Sequence, residues 1–543
     1  MTRSIYSLWP WTPTSPSTPC LATDPPNQPG GLTATGGVGT ISLSWTADST
    51  AAPNQATYYE VERSNDGLGS WSVIATNLTT NSYTDTVASG LTRYYRVYAY
   101  NCDSGSLASA TANATSQAST PTAAWSLDFS SGTPSGYTLT RASSGTYVDS
   151  SGYIASQASG TSGNSAARLT HNSSGSRLGL LVEESRTNLC PTSETTAGVA
   201  SNTAVTTSDT GPAPDNTNTA ELMSEVVANG THHCGTKNTT ANVDLDSLYV
   251  YSVFLKRPAS NATQYAVVTF LYGTSDRRFS QVFDLSAGST SGCATRSRNT
   301  PVDTSSGIEA YANGWYRCWV SHRSRSTNEG IGQGIVQFSD SATPGTWVVD
   351  TYPSYNVTSA KDVLVWGHQI EKGATPSAYI SNTGTGSTTR SADLAHVLDS
   401  SITSWGDPGA LVVHFYPPGK AGTLISTDDA STAQVGIEAS TTTAARAFWS
   451  SGSTATGTIG TGVQKAVHYW NGSTSKFAIN GSTPVSGTNN LTIGNTDFVT
   501  LGAEATDSSG VPGTFSQYSN CVIRYVAFYS GALSDSNLQT VTT

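Results

Sequence analysis

The chain has 543 residues, a formal net charge of −11 and only 12% charged residues. A single hydrophobic core rarely grows beyond about 250–300 residues, so several domains are expected. The acidic balance argues against nucleic-acid binding, which requires clustered Lys and Arg, and no apolar run reaches the length of a membrane span.

Ser, Thr, Gly and Asn take the place of charged residues, and this mixture favours strands and turns over helices. The 25 Tyr and 12 Trp residues can fill several cores. The seven dispersed cysteines contain no CxxC pair, so they predict no zinc site, and free, mostly buried thiols are favoured over a disulfide framework. No apolar segment follows the first residues, so no secretory signal is predicted. We predict an all-β protein of tandem β-sandwiches.

Residues 1–28 are rich in Pro, Thr and Ser, which prevents both helices and central strands. Two interpretations remain open for this segment. It is either a disordered tail or an extended arm that docks on a partner through the apolar anchors Trp9 and Trp11.

Residues 29–118 show short alternating runs separated by turn residues, which is typical of a β-sandwich. Trp45, the Tyr83-x-Asp85 pattern and the alternating run from Tyr95 to Asn101 resemble a fibronectin type III domain. Arg93 stands where that family usually has its corner tyrosine. Domains of this kind are common spacers in phage and bacterial surface proteins.

Residues 119–190 contain the most specific pattern. Thr140–Ser143 and Thr146–Asp149 precede the run Leu178–Leu189, which reads Leu-Gly-Leu-Leu-Val-Glu-Glu-Ser-Arg-Thr-Asn-Leu. This order resembles a module repeated across tailed-phage virion proteins. The run from Leu180 to Val182 predicts a buried strand. Glu183, Glu184 and Arg186 have the residue types of a catalytic set, but a structural ion pair at a domain junction is the favoured interpretation.

Residues 191–392 predict a longer all-β unit. The runs Tyr251–Lys256, Gly314–Arg317, Trp366–Gly373 and Pro376–Ile380 resemble carbohydrate-binding-module jelly rolls of phage tail proteins. Trp315 and Tyr316 are candidates for a sugar-stacking platform, although aromatic residues at alternating strand positions are more often part of a core.

Residues 393–543 predict a last sandwich. The closing run from Val522 to Leu533 resembles the final strand of concanavalin-A/laminin-G-like domains, which precedes a short helix. Ser534 is expected to cap that helix. Tyr469 and Trp470 are further candidates for carbohydrate binding, with a core position as the alternative.

The sequence offers no convincing catalytic set. Glycosidases need two carboxylates about 5–9 Å apart in one cleft, which on a strand requires acids at positions i and i+2. Asp244 and Asp246 have this spacing, but one such pair is weak evidence. Asp428–Asp429 are adjacent and would point to opposite faces of a strand. The adjacent His232–His233 are expected to lie in a solvated loop.

We therefore expect a non-enzymatic structural protein of a phage virion, such as a tail fibre or another appendage, that attaches to host-surface glycans. It would be assembled in the host cytoplasm, dock through its N-terminal arm to other virion proteins and form a homotrimer. The lectin-like resemblance is compatible with structural calcium without indicating its ligands. Two alternatives remain open. One is a purely architectural protein of the head or neck, and the other is an exported polysaccharide-active enzyme with accessory modules.

Overall fold

The computed structural model describes residues 21–117, 121–160, 166–195, 204–325, 329–398, 402, 407–428, 434–449, 452–488, 498–507 and 512–543. The chain divides into two compact units, residues 1–121 and residues 122–543. Both are built from β-sandwiches, as predicted.

The first unit forms a two-sheet β-sandwich, called here the N-terminal sandwich. Its described strands form a three-stranded sheet, β1-β2-β5, and a four-stranded sheet, β4-β3-β6-β7. Ile41 and Leu43 alternate inward on β2, as Tyr95 and Val97 do on β6, because successive side chains of a strand point to opposite faces. The strands are β1 (Thr33–Gly37), β2 (Thr40–Ser44), β3 (Tyr58–Ser64), β4 (Ser72–Leu78), β5 (Ser82–Thr86), β6 (Thr92–Tyr100) and β7 (Ala112–Thr115).

The second unit begins with seven short described strands in the segment that carries the virion-module resemblance. They are β8 (Trp125–Asp128), β9 (Thr138–Thr140), β10 (Gly145–Val148), β11 (Ile154–Gln157), β12 (Leu169–His171), β13 (Arg177–Val182) and β14 (Arg186–Asn188).

The middle sandwich follows and packs the six-stranded sheet β15-β16-β28-β19-β24-β23 against the five-stranded sheet β18-β25-β20-β21-β22. A 3-10 turn spans Ala312–Gly314. The strands are β15 (Ala204–Gly211), β16 (Ala220–Glu225), β17 (Asn229–Thr231), β18 (His233–Asn242), β19 (Leu248–Lys256), β20 (Tyr265–Tyr272), β21 (Arg277–Asp284), β22 (Thr295–Arg298), β23 (Val302–Ala310), β24 (Trp315–Arg323), β25 (Ile331–Ser339), β26 (Trp347–Val348), β27 (Tyr352–Asn356), β28 (Asp362–Lys372) and β29 (Thr388–Arg390).

The C-terminal sandwich closes the chain and ends in the helix α1 (Asp535–Thr542). Ser534 caps α1 as predicted, because its hydroxyl accepts a hydrogen bond from the backbone N–H of Asn537. The strands are β30 (Leu394–Leu398), β31 (Gly409–Phe415), β32 (Gly422–Asp428), β33 (Val435–Thr441), β34 (Ala444–Trp449), β35 (Gly452–Ser453), β36 (Gly457–Thr458), β37 (Gln464–Asn471), β38 (Thr474–Ile479), β39 (Val485–Thr488), β40 (Phe498–Leu501), β41 (Glu504–Asp507), β42 (Pro512–Ser516) and β43 (Cys521–Ser530).

The C-terminal sandwich recruits strands from the segment that precedes the middle sandwich. β13 pairs with the start of β43 and β8 pairs with its later part, while β9 pairs with β30 in the opposite sheet. The described residues of the segment 119–190 therefore do not form a sandwich of their own. They complete the one formed by residues 393–543, and the middle sandwich is inserted between two parts of the same fold.

Candidate functional site

The segment Leu178–Leu189 runs through the junction between the middle and C-terminal sandwiches. Leu180 and Val182 are fully buried in the core of the C-terminal sandwich, which confirms the predicted buried strand. The chain then enters the middle sandwich as β14, which pairs with β29, the strand by which it leaves. The polar residues of the segment consequently lie where the two sandwiches meet.

Asp393 is the centre of a buried ion cluster at this junction. Its Oδ1 accepts a hydrogen bond from Arg141 Nη1 at 2.9 Å, and its Oδ2 accepts one from Arg168. The backbone N–H of Glu183 also donates to Oδ2 at 2.9 Å, and Arg390 Nη1 lies 3.8 Å from the same oxygen. The charged side chains of the cluster are at most 6% exposed. The contacts of Asp393 with Arg141, Arg168 and Glu183 connect segments that are more than 200 positions apart in the chain.

Glu183 is the second carboxylate of this cluster. Its Oε2 lies 2.7 Å from Arg168 Nη1 and 3.3 Å from Arg390 Nη2, and its Oε1 accepts a hydrogen bond from the backbone N–H of Ala378. Burial by itself raises the pKa of Glu183, but the charges of Arg390 and Arg168 outweigh burial and lower this pKa to about 2. Glu183 is therefore ionised and fixed by both sandwiches, which is the structural role favoured from the sequence.

Glu184 and Arg186 form a second, more exposed contact. Arg186 Nε donates to Glu184 Oε1 at 2.7 Å, and Lys420 Nζ from the C-terminal sandwich lies 2.7 Å from Glu184 Oε2. Arg186 also donates to the backbone carbonyl of Lys372 in β28. Charged residues of the segment thus bind partners on both sides of the junction.

A groove of about 840 Å³ opens beside the ion cluster. One wall is the β10–β11 hairpin, another comes from the middle sandwich, and the β29 strand closes the third side. The backbone N–H of Ile154 donates to the carbonyl of Pro214, which fixes the hairpin against the middle sandwich. The residues that line the groove include Gly145, Asp149, Tyr153, Glu194, Asp215 and Tyr379.

Three carboxylates line this groove, and each is held through one oxygen. Asp149 Oδ1 accepts from the backbone N–H groups of Ser151 and Tyr153. Asp215 Oδ1 accepts from Thr217, and Glu194 Oε1 accepts from the Ser381 hydroxyl at 2.5 Å. The second oxygen of each carboxylate accepts no hydrogen bond from any residue that the structure describes. These three oxygens are available as acceptors.

The aromatic side of the groove is preorganised by hydrogen bonds. Tyr379 is 3% exposed, and its hydroxyl lies 2.7 Å from the Ser193 hydroxyl. Burial, together with the negative charges of Glu194 and Asp215, raises the pKa of Tyr379 well above its ordinary value. The Tyr153 hydroxyl accepts a hydrogen bond from Asn313 Nδ2 at 2.5 Å, which fixes the partly exposed ring on the groove wall.

The floor of the groove adjoins the ion cluster. Arg390 lines the groove and is 1% exposed, and its Nε–H has no hydrogen-bond partner among the described residues. Gly145 lies above this arginine, since a Cβ atom at this position would stand 3.0 Å from Arg141 Nε and 3.2 Å from Arg390 Cδ. The floor therefore consists of a buried arginine side chain with the backbone of Gly145 packed closely over it.

The aromatic residues predicted from the sequence to bind sugar are core residues. Trp315 is 1% exposed, Tyr469 is 4% exposed and Trp470 is fully buried, so these rings have no face on which a sugar could stack. Tyr316 is partly buried and packs against the core of the middle sandwich. Trp9 and Trp11 lie outside the described residues.

The other candidate polar residues of the sequence also have structural surroundings. Asp244 pairs with Lys372 at 3.0 Å, and Asp246 adopts a positive φ of 50° in a turn, so the two acids do not share a strand face. His232 is 1% exposed, and His233 stacks on Tyr352, which corrects the expectation that both lie in a solvated loop.

No group of three or more His, Cys, Asp or Glu side chains that could hold a metal ion occurs within the described ranges.

Cys190, Cys293, Cys318 and Cys521 are free thiols. Cys102 is disulfide-bonded, so the expectation of free thiols is wrong for this residue. No helix in the described part of the chain is long and apolar enough to cross a membrane.

The groove residues were not identified as a site from the sequence. Asp149 belongs to the Thr146–Asp149 pattern, so one signal was present, but Glu194 and Asp215 stand in unremarkable polar stretches. Their proximity follows from the insertion of the middle sandwich, which brings residues on both sides of the junction to one surface.

Solved structures that are similar to a part of this chain include fibronectin type III domains. A Fn3-like protein from Clostridium thermocellum is 37% identical, with 17% of this chain and 92% of that chain covered and a TM-score of 0.15. The fibronectin type-III domain of human fibronectin type III domain containing protein 3 is 18% identical, with 18% of this chain and 93% of that chain covered and a TM-score of 0.17. Titin kinase with its flanking domains is 21% identical, with 17% of this chain and 18% of that chain covered and a TM-score of 0.16. No family model and no curated protein matches the chain.

Proposed function

We propose that this chain is a non-enzymatic structural protein of a tailed-phage virion, part of an appendage that attaches to glycans on the host surface. The observation that carries the proposal is the position of the segment Leu178–Leu189. This segment resembles a module repeated across tailed-phage virion proteins, and its charged side chains join two sandwiches.

The bonding of these side chains supports a structural role over a catalytic one. Glu183 is ionised, buried and bound by Arg168 and Arg390, so it has neither a free proton to donate nor access to a substrate. Glu184 is bound by Arg186 and Lys420. Removing such groups is expected to affect stability and assembly, and not a chemical step.

The order of the domains along the chain is compatible with an attachment role. In this proposal the N-terminal arm docks on the particle, the N-terminal sandwich acts as a spacer, and the two joined sandwiches carry the receptor contacts. Many copies on one particle would strengthen individually weak sugar contacts through avidity. A homotrimer would provide closed threefold symmetry.

The first test asks whether the chain is part of virus particles. Antibodies raised against the recombinant full-length chain are applied to purified particles for immunogold electron microscopy, and the particle proteins are identified by mass spectrometry. We expect labelling of one appendage. If infectious particles lack the chain, the proposal is wrong.

Two further measurements test the arm and the oligomeric state. A chain that carries Trp9→Ala and Trp11→Ala is expected to fold but not to be incorporated into particles, whereas normal incorporation would contradict arm docking. Light scattering of the recombinant chain is expected to give three times the chain mass of 56.4 kDa. A monomer under the same conditions would contradict the trimer.

A further inference from the structure

We infer that the groove lined by Asp149, Tyr153, Glu194 and Asp215 is a binding site for uncharged oligosaccharides. The inference deepens the proposed attachment function, on which it rests, by naming the site and the chemical class of its ligand. The sugar would bind at the junction between the two sandwiches, and not at the aromatic residues that the structure places in the cores.

The size and the composition of the groove fit a short saccharide. Pockets of about 300–1,000 Å³ hold ligands of drug size, and this groove has about 840 Å³. Three carboxylate oxygens that accept no hydrogen bond from the described residues can accept hydrogen bonds from sugar hydroxyl groups, and hydrogen bonds to charged acceptors are the stronger ones. The ring of Tyr153 adds apolar surface to the wall.

The floor of the groove lies over the buried side chain of Arg390. Because Arg390 is 1% exposed and its Nε atom has almost no accessible surface, a saccharide in the groove does not reach this Nε–H. The absence of a side chain at Gly145 brings the backbone close to this arginine. The contacts to a ligand are therefore assigned to the carboxylate oxygens and to the ring of Tyr153.

The charge distribution selects against acidic glycans. Asp149, Glu194 and Asp215 place negative charge on the lining, while the nearest positive charges, Arg141 and Arg390, are already engaged by Asp393 and Glu183. A uronic or sialic acid residue would bring its carboxylate close to these three acids. Because like charges repel in a partly desolvated site, an uncharged saccharide is the favoured ligand.

The variants that test the site preserve its internal hydrogen bonds. Glu194→Gln keeps an acceptor for Ser381, and Asp215→Asn keeps one for Thr217. Ser156→Trp fills the groove from an exposed position of β11. Ser126→Trp, at an equally exposed position of β8 away from the groove, is the matched control.

The experiment measures binding of the full-length chain to an array of short hexose and N-acetylhexosamine oligosaccharides, next to uronic-acid and sialic-acid oligosaccharides of the same lengths. We expect binding to uncharged probes. Glu194→Gln and Asp215→Asn should each lower affinity about tenfold, since one hydrogen bond to a charged group is lost. Ser156→Trp should abolish binding, and Ser126→Trp should bind like the wild type.

Three results would overturn the inference: no binding to any uncharged probe, binding unaffected by Ser156→Trp, or tighter binding to the acidic probes. Detection of the chain in purified particles without glycan binding would remove this site but leave the virion role standing. Glycan binding by a chain that is absent from particles would support this site but contradict the virion role.

Discussion

Arg141 Nη1 lies 2.9 Å from Asp393 Oδ1, although the two residues are 252 positions apart, and both side chains are fully buried. The middle sandwich is inserted between them in the chain. The contact therefore closes the C-terminal sandwich across the insertion, and it requires the segments before and after the middle sandwich to be in place together.

Replacing Asp393 by Asn should strongly destabilise the second unit. The change leaves Arg141, Arg168 and Arg390 buried with Glu183 as their remaining carboxylate partner in the cluster, and breaking a buried ion pair in this way typically lowers the free energy of unfolding by about 3–5 kcal/mol. Urea denaturation followed by tryptophan fluorescence measures the loss.

The matched control for Asp393 is Asp303→Asn. Asp303 also pairs with an arginine, Arg323 at 2.5 Å, but the two side chains are 54% and 34% exposed. Solvent screens such a pair, so the variant should remain within about 1 kcal/mol of the wild type. Equal losses in the two variants would show that Asp393 does not hold a buried cluster together.

The free energy of unfolding should fall as the pH decreases below 6.5, the ordinary pKa of a histidine side chain. Burial lowers the pKa of His468 to about 3 and the pKa of His322 to about 4, whereas both groups titrate near 6.5 in the unfolded chain. Below pH 6.5 the unfolded state therefore binds more protons than the folded state, and each histidine removes about 1.4 kcal/mol of stability per pH unit until its folded pKa is reached.

His468→Gln isolates one of these contributions. Denaturation is measured between pH 6.5 and pH 4.5, above the range in which Glu183 gains a proton. Whatever its overall stability, the variant should have a free energy of unfolding that depends less steeply on pH, and the difference in slope should correspond to one proton. The same slope in wild type and variant would mean that His468 is not buried in its neutral form.

Parts of this architecture could be predicted from the sequence because they depend on local patterns. Leu180 and Val182 alternate within a short apolar run, and Ser534 precedes a short helix with a favourable first-turn acid, so the strand and the cap were both predictable. These features need only neighbouring residues.

The burial of the candidate sugar-binding aromatic residues depends on distant segments. Tyr469 points away from the main core of the C-terminal sandwich, but α1 covers that face through Leu538 and Val541. Trp315 lies in a second cluster that contains Ile154, a residue of the preceding segment. The alternating pattern of a strand cannot show whether another element covers its outer face. From the sequence, these aromatic residues could therefore form either a sugar-stacking platform or part of a core.

The close approach of Gly334 to Tyr251 gives a further test of packing in the middle sandwich. A Cβ atom at Gly334 would lie 2.4 Å from the ring of Tyr251, which is fully buried and whose hydroxyl lies 2.8 Å from His368 Nδ1. Gly334→Ala should therefore destabilise the protein by about 1–3 kcal/mol, as overpacking of a core does. Gly345→Ala is the control, because nothing lies within 4 Å of a Cβ atom there. Equal midpoints of thermal unfolding for the two variants would contradict this packing.

Among the free cysteines that the structure describes, Cys293 should react first with a maleimide. Cys293 is partly exposed, whereas Cys190, Cys318 and Cys521 are buried, and burial raises the pKa of Cys190 and of Cys521 to about 12. Because the thiolate is the reactive form, these three thiols should be labelled only after unfolding. Labelling of the native protein followed by peptide mass mapping measures the order, and Cys293→Ser should leave the peptides of the other three unlabelled. Rapid native labelling of Cys521 would show that the β13–β43 edge of the C-terminal sandwich opens in solution, since Cys521 lies directly opposite Val182 in that pair.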